Sequence, residues 1–162
     1  MDQTLSREMT ILIIDEQALA QNYLRYTLEK LGYSQVHFTD KAQTALAMCK
    51  ERQFDLIICY HILEHVIDDV NAMKELHRVL KPNGTVLIQT PFKEGDIYEN
   101  YNISSEAERL LHFGQEDHVR IYSIDGLKNR LENSGFTISV TQFEKDTYLG
   151  FSDKETILFA TK

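Results

Sequence analysis

Residues 61–65 read His61-Ile-Leu-Glu64-His65, the H-x-x-E-H spacing in which two histidines on one helical face hold a zinc ion beside a glutamate that serves as base. Metal-assisted hydrolysis is the chemistry such a set would support. It requires both histidines on an established helix and a third ligand from elsewhere. The apolar run Phe54 to Tyr60 that comes immediately before has the look of a strand, and the helical pattern is clear only from about Asp69. His61 therefore stands at a strand exit rather than on a helix, and zinc hydrolysis is not the expected activity. Tyr60 and His61 remain candidates for substrate positioning or for removing a proton from a nucleophile, against the plainer reading of a solvated rim. A second polar concentration lies further on, at His112, Gln115, Asp117, His118 and Arg120. These are candidate substrate contacts, with Arg120 suited to a carboxylate or phosphate, or else the members of a mutually hydrogen-bonded lid.

Composition narrows the classes. A chain of 162 residues with 43% hydrophobic content suits one domain with a real core, spanning 1–162 behind a flexible tail over residues 1–8. The 25 acidic against 17 basic residues give a charge of −8, which repels phosphate backbones and argues against a nucleic-acid partner. No run approaches the length needed to span a bilayer, and Met1 to Glu8 lacks the basic flank and apolar stretch of a signal peptide, so no membrane partner and a cytoplasmic location are expected. Cys49 and Cys59 sit in apolar patterns, not in a C-x-x-C pair, and are expected as small buried hydrophobes.

The elements that must position these residues follow from periodicity. Ile11 to Ile14 is a continuous apolar run of the kind buried on both faces, ending in Asp15-Glu16. Ala20, Leu24, Leu28 and Leu31 recur at helical steps, and Gly32 stands where a left-handed cap is wanted. Val36 to Phe38, a helix through Ala42, Ala45, Leu46 and Cys49, and a strand through Leu56 to Cys59 complete a β-α-β-α-β run. A helix over Val70, Met73, Leu76, His77 and Leu80 should be stopped by Lys81-Pro82-Asn83-Gly84, followed by a strand at Val86 to Ile88. About thirty residues then separate Pro91 from Tyr122, long enough to suggest a pocket cover. Ser105-Glu-Ala-Glu108 has capping-box spacing for a short helix through Leu111. Ile124, Leu127 and Leu131 give a last helix, Phe136 to Val140 an alternating strand, and Ile157 to Ala160 an antiparallel partner. Right-handed crossovers make this a three-layer, doubly wound α/β fold, Rossmann- or flavodoxin-like, with a mostly parallel six-stranded sheet in the order 2-1-3-4-6-5, the last-placed strand antiparallel. Ligands would bind beyond the carboxyl ends of the first and third strands, where Asp15, Glu16, Tyr60 and His61 lie.

Two family resemblances can be drawn. Residues from about 9 to 53, continuing to Cys59, resemble the receiver domain of response regulators in order of elements. That resemblance makes Asp15 and Glu16 the vestige of an acidic pair for Mg²⁺, weakly held. It also puts Tyr60 where the phosphoacceptor aspartate belongs, so phosphorylation chemistry should be absent. From about 54 to 162 the chain resembles class I S-adenosylmethionine-dependent methyltransferases, in FDLIICYHILEHVIDDVNAMKELHRVLKPNGTVLIQTPF and in HFGQEDHVRIYSIDGLKNRLENSGFTISV. This second resemblance implies S-adenosylmethionine as a possible cofactor, with Asp40 as ribose ligand and Tyr60 and His61 near the transferred methyl. The glycine-rich loop expected after the first strand is replaced by Asp15-Glu-Gln-Ala-Leu-Ala20, a poor nest for an anion. There is also no room for the strand and helix that normally precede Phe54. The expectation is a receiver/methyltransferase hybrid that binds no cofactor tightly and is catalytically silent. The alternatives are a weakly active methyltransferase on a small-molecule substrate and a phosphorylation-independent, receiver-like interaction module that forms a homodimer.

Overall fold

Strand β1 (Ile11–Ile14) is buried at all four positions in a computed structural model that describes residues 8–48, 50, 52–148 and 153–162. The burial follows from its place: β1 pairs in parallel with β2 (Val36–Thr39) on one side and β3 (Phe54–Tyr60) on the other. β3 pairs in parallel with β4 (Leu80–Gln89). Two short strands, β5 (Tyr98–Glu99) and β6 (Arg120–Ile121), form a separate antiparallel ribbon. The main sheet is closed by β7 (Thr137–Phe143) and β8 (Glu155–Thr161), with β8 antiparallel between β4 and β7. The order β2-β1-β3-β4-β8-β7 is the expected one once the ribbon is counted apart, and the strand closing the chain is the antiparallel one.

Helix α1 (Ala18–Lys30) covers one face of the sheet, setting Leu24 and Leu28 over Ile11, Ile13 and Ile58. Gly32 follows it at φ 88°, the left-handed conformation that glycine adopts without steric cost. The other face carries the larger core, where Leu12, Ile14, Ile57 and Cys59 meet side chains of α2 (Ala42–Met48), α3 (Asp69–Val79) and α5 (Ile124–Asn133). Cys59 is buried with a free thiol, as expected; Cys49 and the tail residues 1–7 lie outside the described residues. No helix among the described residues is long and apolar enough to cross a membrane.

One expectation about a connection needs correction. The tetrapeptide Lys81-Pro82-Asn83-Gly84 does not stand between helix and strand. α3 ends at Val79, β4 begins at Leu80, and the tetrapeptide is an irregularity inside β4, where the register shifts between Phe54 and Leu56. Proline has no N–H for the ladder and Asn83 takes φ 64°, so the excess residues bulge out. Any Cβ at Gly84 would come 2.9 Å from the Lys81 carbonyl and 3.1 Å from that of Asp55. The bulge also brings Lys81 Nζ to 2.7 Å from Asp55 Oδ2, which accepts from the Thr10 N–H as well.

The long segment after Pro91 is anchored to the body. Helix α4 (Glu106–Phe113) starts at the anticipated capping box, with Ser105 and Glu108 bonded reciprocally. The β5–β6 ribbon ties the segment's two halves together, and Phe92 bridges to Tyr122.

Candidate functional site

The carboxyl ends of the parallel strands bring five residues to one edge of the sheet: Asp15, Asp40 and Thr90 just past β1, β2 and β4, and Tyr60 and His61 at and just past the end of β3. Asp15 is buried, and its Oδ1 accepts from the Gln17 N–H at 2.7 Å while its carbonyl accepts from Gln21 Nε2 at 2.6 Å. The start of α1 thus has its own carboxylate in place, on the end of the helix that attracts anions. Glu16 turns instead toward His65, its Oε2 3.7 Å from Nε2. The acidic pair expected to hold Mg²⁺ is consequently not assembled: Asp15 is spent on the chain's own backbone, and of the two only Glu16 belongs to a group of side chains close enough to share an ion. Asp40 is exposed just beyond β2.

Tyr60 and His61 have different surroundings. Tyr60 packs against the apolar cluster under α1, and burial, with the Glu155 carboxylate beside it, pushes its hydroxyl up to about 12. It stays a neutral phenol at physiological pH and is not a proton acceptor. His61 adopts φ 52°, and its N–H donates to the Gln89 carbonyl at 3.0 Å. Its Nδ1 lies 3.3 Å from Glu64 Oε1, and that carboxylate holds the ring above its ordinary range despite the opposing effect of burial.

The H-x-x-E-H residues do not share a helix. A single 3₁₀ turn spans Leu63–His65, with His61 outside it in the left-handed region, so the arrangement of a helical zinc protease is absent. Glu64 is 1% exposed, and neither of its oxygens has a hydrogen-bond partner of acceptable geometry; Thr90 Oγ1 and His65 Nε2 are in the same condition. His65 places Nδ1 3.1 Å from Asp117 Oδ2 and stacks edge-on against His118, ring centres 4.6 Å apart. His118 is itself buried.

The polar group expected on the long segment therefore separates in space. His112 and Gln115 are exposed, with His112 Nδ1 2.7 Å from the Tyr98 hydroxyl. His118 and Asp117 turn to the β3 exit. Arg120 requires correction as a substrate contact, because it is fully buried and its donors are occupied. Nε bonds Glu99 Oε2 at 3.1 Å, Nη2 bonds the Ile67 carbonyl at 2.8 Å, and Nη1 bonds the carbonyls of Leu63, at 3.1 Å, and Val66. Around it Asp69 accepts from Tyr122 and Arg130, and Arg130 also holds Glu99. Asp69, Glu99, Tyr122 and Arg130 did not stand out in the sequence. Each looks ordinary locally, and only the crossing of α3, α5 and the ribbon makes them a network.

Beneath the β3 exit, between α2 and α3, lies an apolar cavity of about 210 Å³ whose lining includes Ile14, Cys59, Ile62, Leu63 and Leu76.

Comparison with known proteins places this geometry. A 1,6-didemethyltoxoflavin-N1-methyltransferase from Burkholderia thailandensis, solved with 1,6-didemethyltoxoflavin and S-adenosylhomocysteine, superposes with a TM-score of 0.60 at 15% identity, over 96% of this chain and 72% of that one. The [4+2]-cyclase SpnF gives 0.61 at 15% identity, over 98% and 76%. At such identities the likeness is one of fold. A ubiquinone biosynthesis O-methyltransferase from Histophilus somni is 36% identical over 83 residues, 51% of this chain and 30% of that protein. The chain spans only about a fifth to a third of the length of the curated relatives it matches. A family model described as a methyltransferase domain matches residues 14–140. That match runs without a break through the point near Phe54 where a receiver-like part was expected to give way to a methyltransferase-like one, and it takes in most of the receiver-like stretch. One family therefore accounts for both parts, and the chain belongs to the methyltransferase domain family.

Proposed function

We propose that this chain is a methyltransferase-fold protein whose cofactor site is closed at the end that would receive the methionine portion of S-adenosylmethionine, so that by itself it binds the cofactor too weakly for efficient methyl transfer. The observation that carries this reading is the Asp15 carboxylate, buried and 2.7 Å from the Gln17 N–H at the entrance to α1. A cofactor carboxylate brought to that helix end would meet a fixed negative charge in a partly buried setting, with Glu16 next to it. The residues at the ribose end fit better, since Asp40 is exposed past β2 and free to accept hydroxyl hydrogens.

Thermal melts with S-adenosylhomocysteine test the reading. A ligand at about 100 times its dissociation constant adds roughly 2.7 kcal/mol to stability. The unaltered chain should show no shift at micromolar ligand, and Asp15→Gly should gain one. A micromolar dissociation constant for the unaltered chain would overturn the proposal. It would favour a second reading, a weakly active methyltransferase on a small-molecule substrate, which the exposed Asp40 supports; Asp40→Ala should then abolish both binding and methyl transfer.

A further inference from the structure

We infer that Glu64, His65 and His118 form a binding site for a divalent cation of borderline softness, zinc or cobalt in type, at the exit of β3. One ligand atom from each of the three lies within 4.8 Å of the others. Small side-chain rotations would bring them to the about 2.0–2.2 Å at which imidazole nitrogen and carboxylate oxygen hold such an ion. Two imidazoles and a carboxylate select this class of metal over Mg²⁺ or Ca²⁺, which prefer all-oxygen sets.

Burial supplies an independent reason. Glu64 is 1% exposed, its carboxylate oxygens make no hydrogen bond of acceptable geometry although the His61 ring lies 3.3 Å away, and His65 Nε2 is likewise buried without a hydrogen bond. A buried carboxylate without donors is costly, and a cation among these atoms would relieve all of them at once. His61 Nδ1, 3.3 Å from Glu64 Oε1, is the competing source of positive charge, but it leaves His65 Nε2 unsatisfied.

The outer contacts also suit a metal. Asp117 Oδ2 lies 3.1 Å from His65 Nδ1, the carboxylate–histidine pairing that fixes a ligand's tautomer and directs Nε2 inward. Glu16 Oε2 stands 3.7 Å from that Nε2, within reach as a fourth ligand. His118 is itself buried, its ring centre 4.6 Å from that of His65. The site would clip the 115–120 segment to the β3 exit. It does not depend on whether S-adenosylmethionine binds.

Titration with Co²⁺ followed by visible absorption tests the site, with zinc competition and a metal-free thermal melt of each variant. The unaltered chain should bind one equivalent with the intense bands of a low-coordinate nitrogen and oxygen site, displaced by Zn²⁺. Glu64→Gln and His118→Gln should each weaken binding at least tenfold, whereas His112→Gln, which removes an exposed histidine, should not. Metal-free Glu64→Gln should remain folded at the temperature of the titration, so that a lost cobalt spectrum reports the missing ligand and not unfolding. Absence of a saturable cobalt spectrum in the unaltered chain overturns the inference whatever the variants do. An equal loss in His112→Gln would overturn it as well, by pointing to adventitious surface histidines.

Discussion

Arg120 shows what a single residue's type leaves open. Its guanidinium could clamp a carboxylate or phosphate, yet it is enclosed and reaches Glu99 and the carbonyls of Leu63, Val66 and Ile67. Arg120→Ala would strand these acceptors, together with Asp69 3.7 Å away, in a buried setting. The expected loss is about 3–5 kcal/mol, the usual cost of removing one partner of a buried ion pair, read from the urea midpoint. Arg120→Lys should recover little of it, because one ammonium cannot reproduce the planar fork. His112→Ala, at an exposed position, should change stability by no more than about 1 kcal/mol. An Arg120→Ala chain as stable as its parent would mean that the guanidinium is free for a ligand after all.

At the scale of elements, α5 depends on its first turn. Ser123 caps it by accepting from the Gly126 N–H at 3.2 Å. The lack of a side chain at Gly126 lets Ile97 of the long segment lie against the helix: an added Cβ would come 2.5 Å from Ile97 Cγ1 and 2.8 Å from Ser123 Oγ. Gly126→Ala should therefore destabilise by about 1–3 kcal/mol, although alanine is the better helix former, and protease cleavage within 91–105 should quicken as Ile97 is pushed away. Ser123→Ala should cost about 1 kcal/mol without altering cleavage there. If Gly126→Ala instead stabilises the chain, the contact between Ile97 and α5 is wrong. The capping box at Ser105 and the left-handed Gly32 after α1 were legible in the sequence because capping and positive-φ chemistry act over a few residues, whereas the end of α3 at Val79 was not, because the residues read as its stop lie inside β4. The β5–β6 ribbon was not, since two-residue strands carry no periodicity.

Across the whole molecule, charge sets the pH range of stability. Glu99 loses some favour for its ionised form through burial, but Arg130 and Arg120 outweigh this and hold its carboxyl below the ordinary value. Its contribution is complete above the ordinary carboxylate range and disappears as pH falls through the lowered value. His61 has the opposite sign: raised by Glu64, it adds stability below the ordinary imidazole value, lost as pH rises through the raised one. Denaturant midpoints across pH should thus fall in acid and decline gently above neutrality. Glu99→Gln should flatten the acid limb, and His61→Gln the alkaline one; a limb unchanged by its substitution would assign that slope to other groups.

By itself the sequence determined the alternation of strands and helices, the sheet order and the antiparallel closing strand, because hydrophobic period and crossover handedness are properties of neighbouring residues and of connection length. It also placed Asp15, Tyr60 and His61 at the sheet edge. Where those side chains turn was decided only by tertiary structure. Asp15 is drawn to the backbone of α1, Tyr60 to the apolar face under that helix, and Arg120 into the space between α3 and the ribbon. Glu64 and His65 meet His118 only because the long segment folds back across the β3 exit. Each outcome is a contest between burial, hydrogen bonding and charge among groups far apart in the chain, and local pattern contains none of those terms.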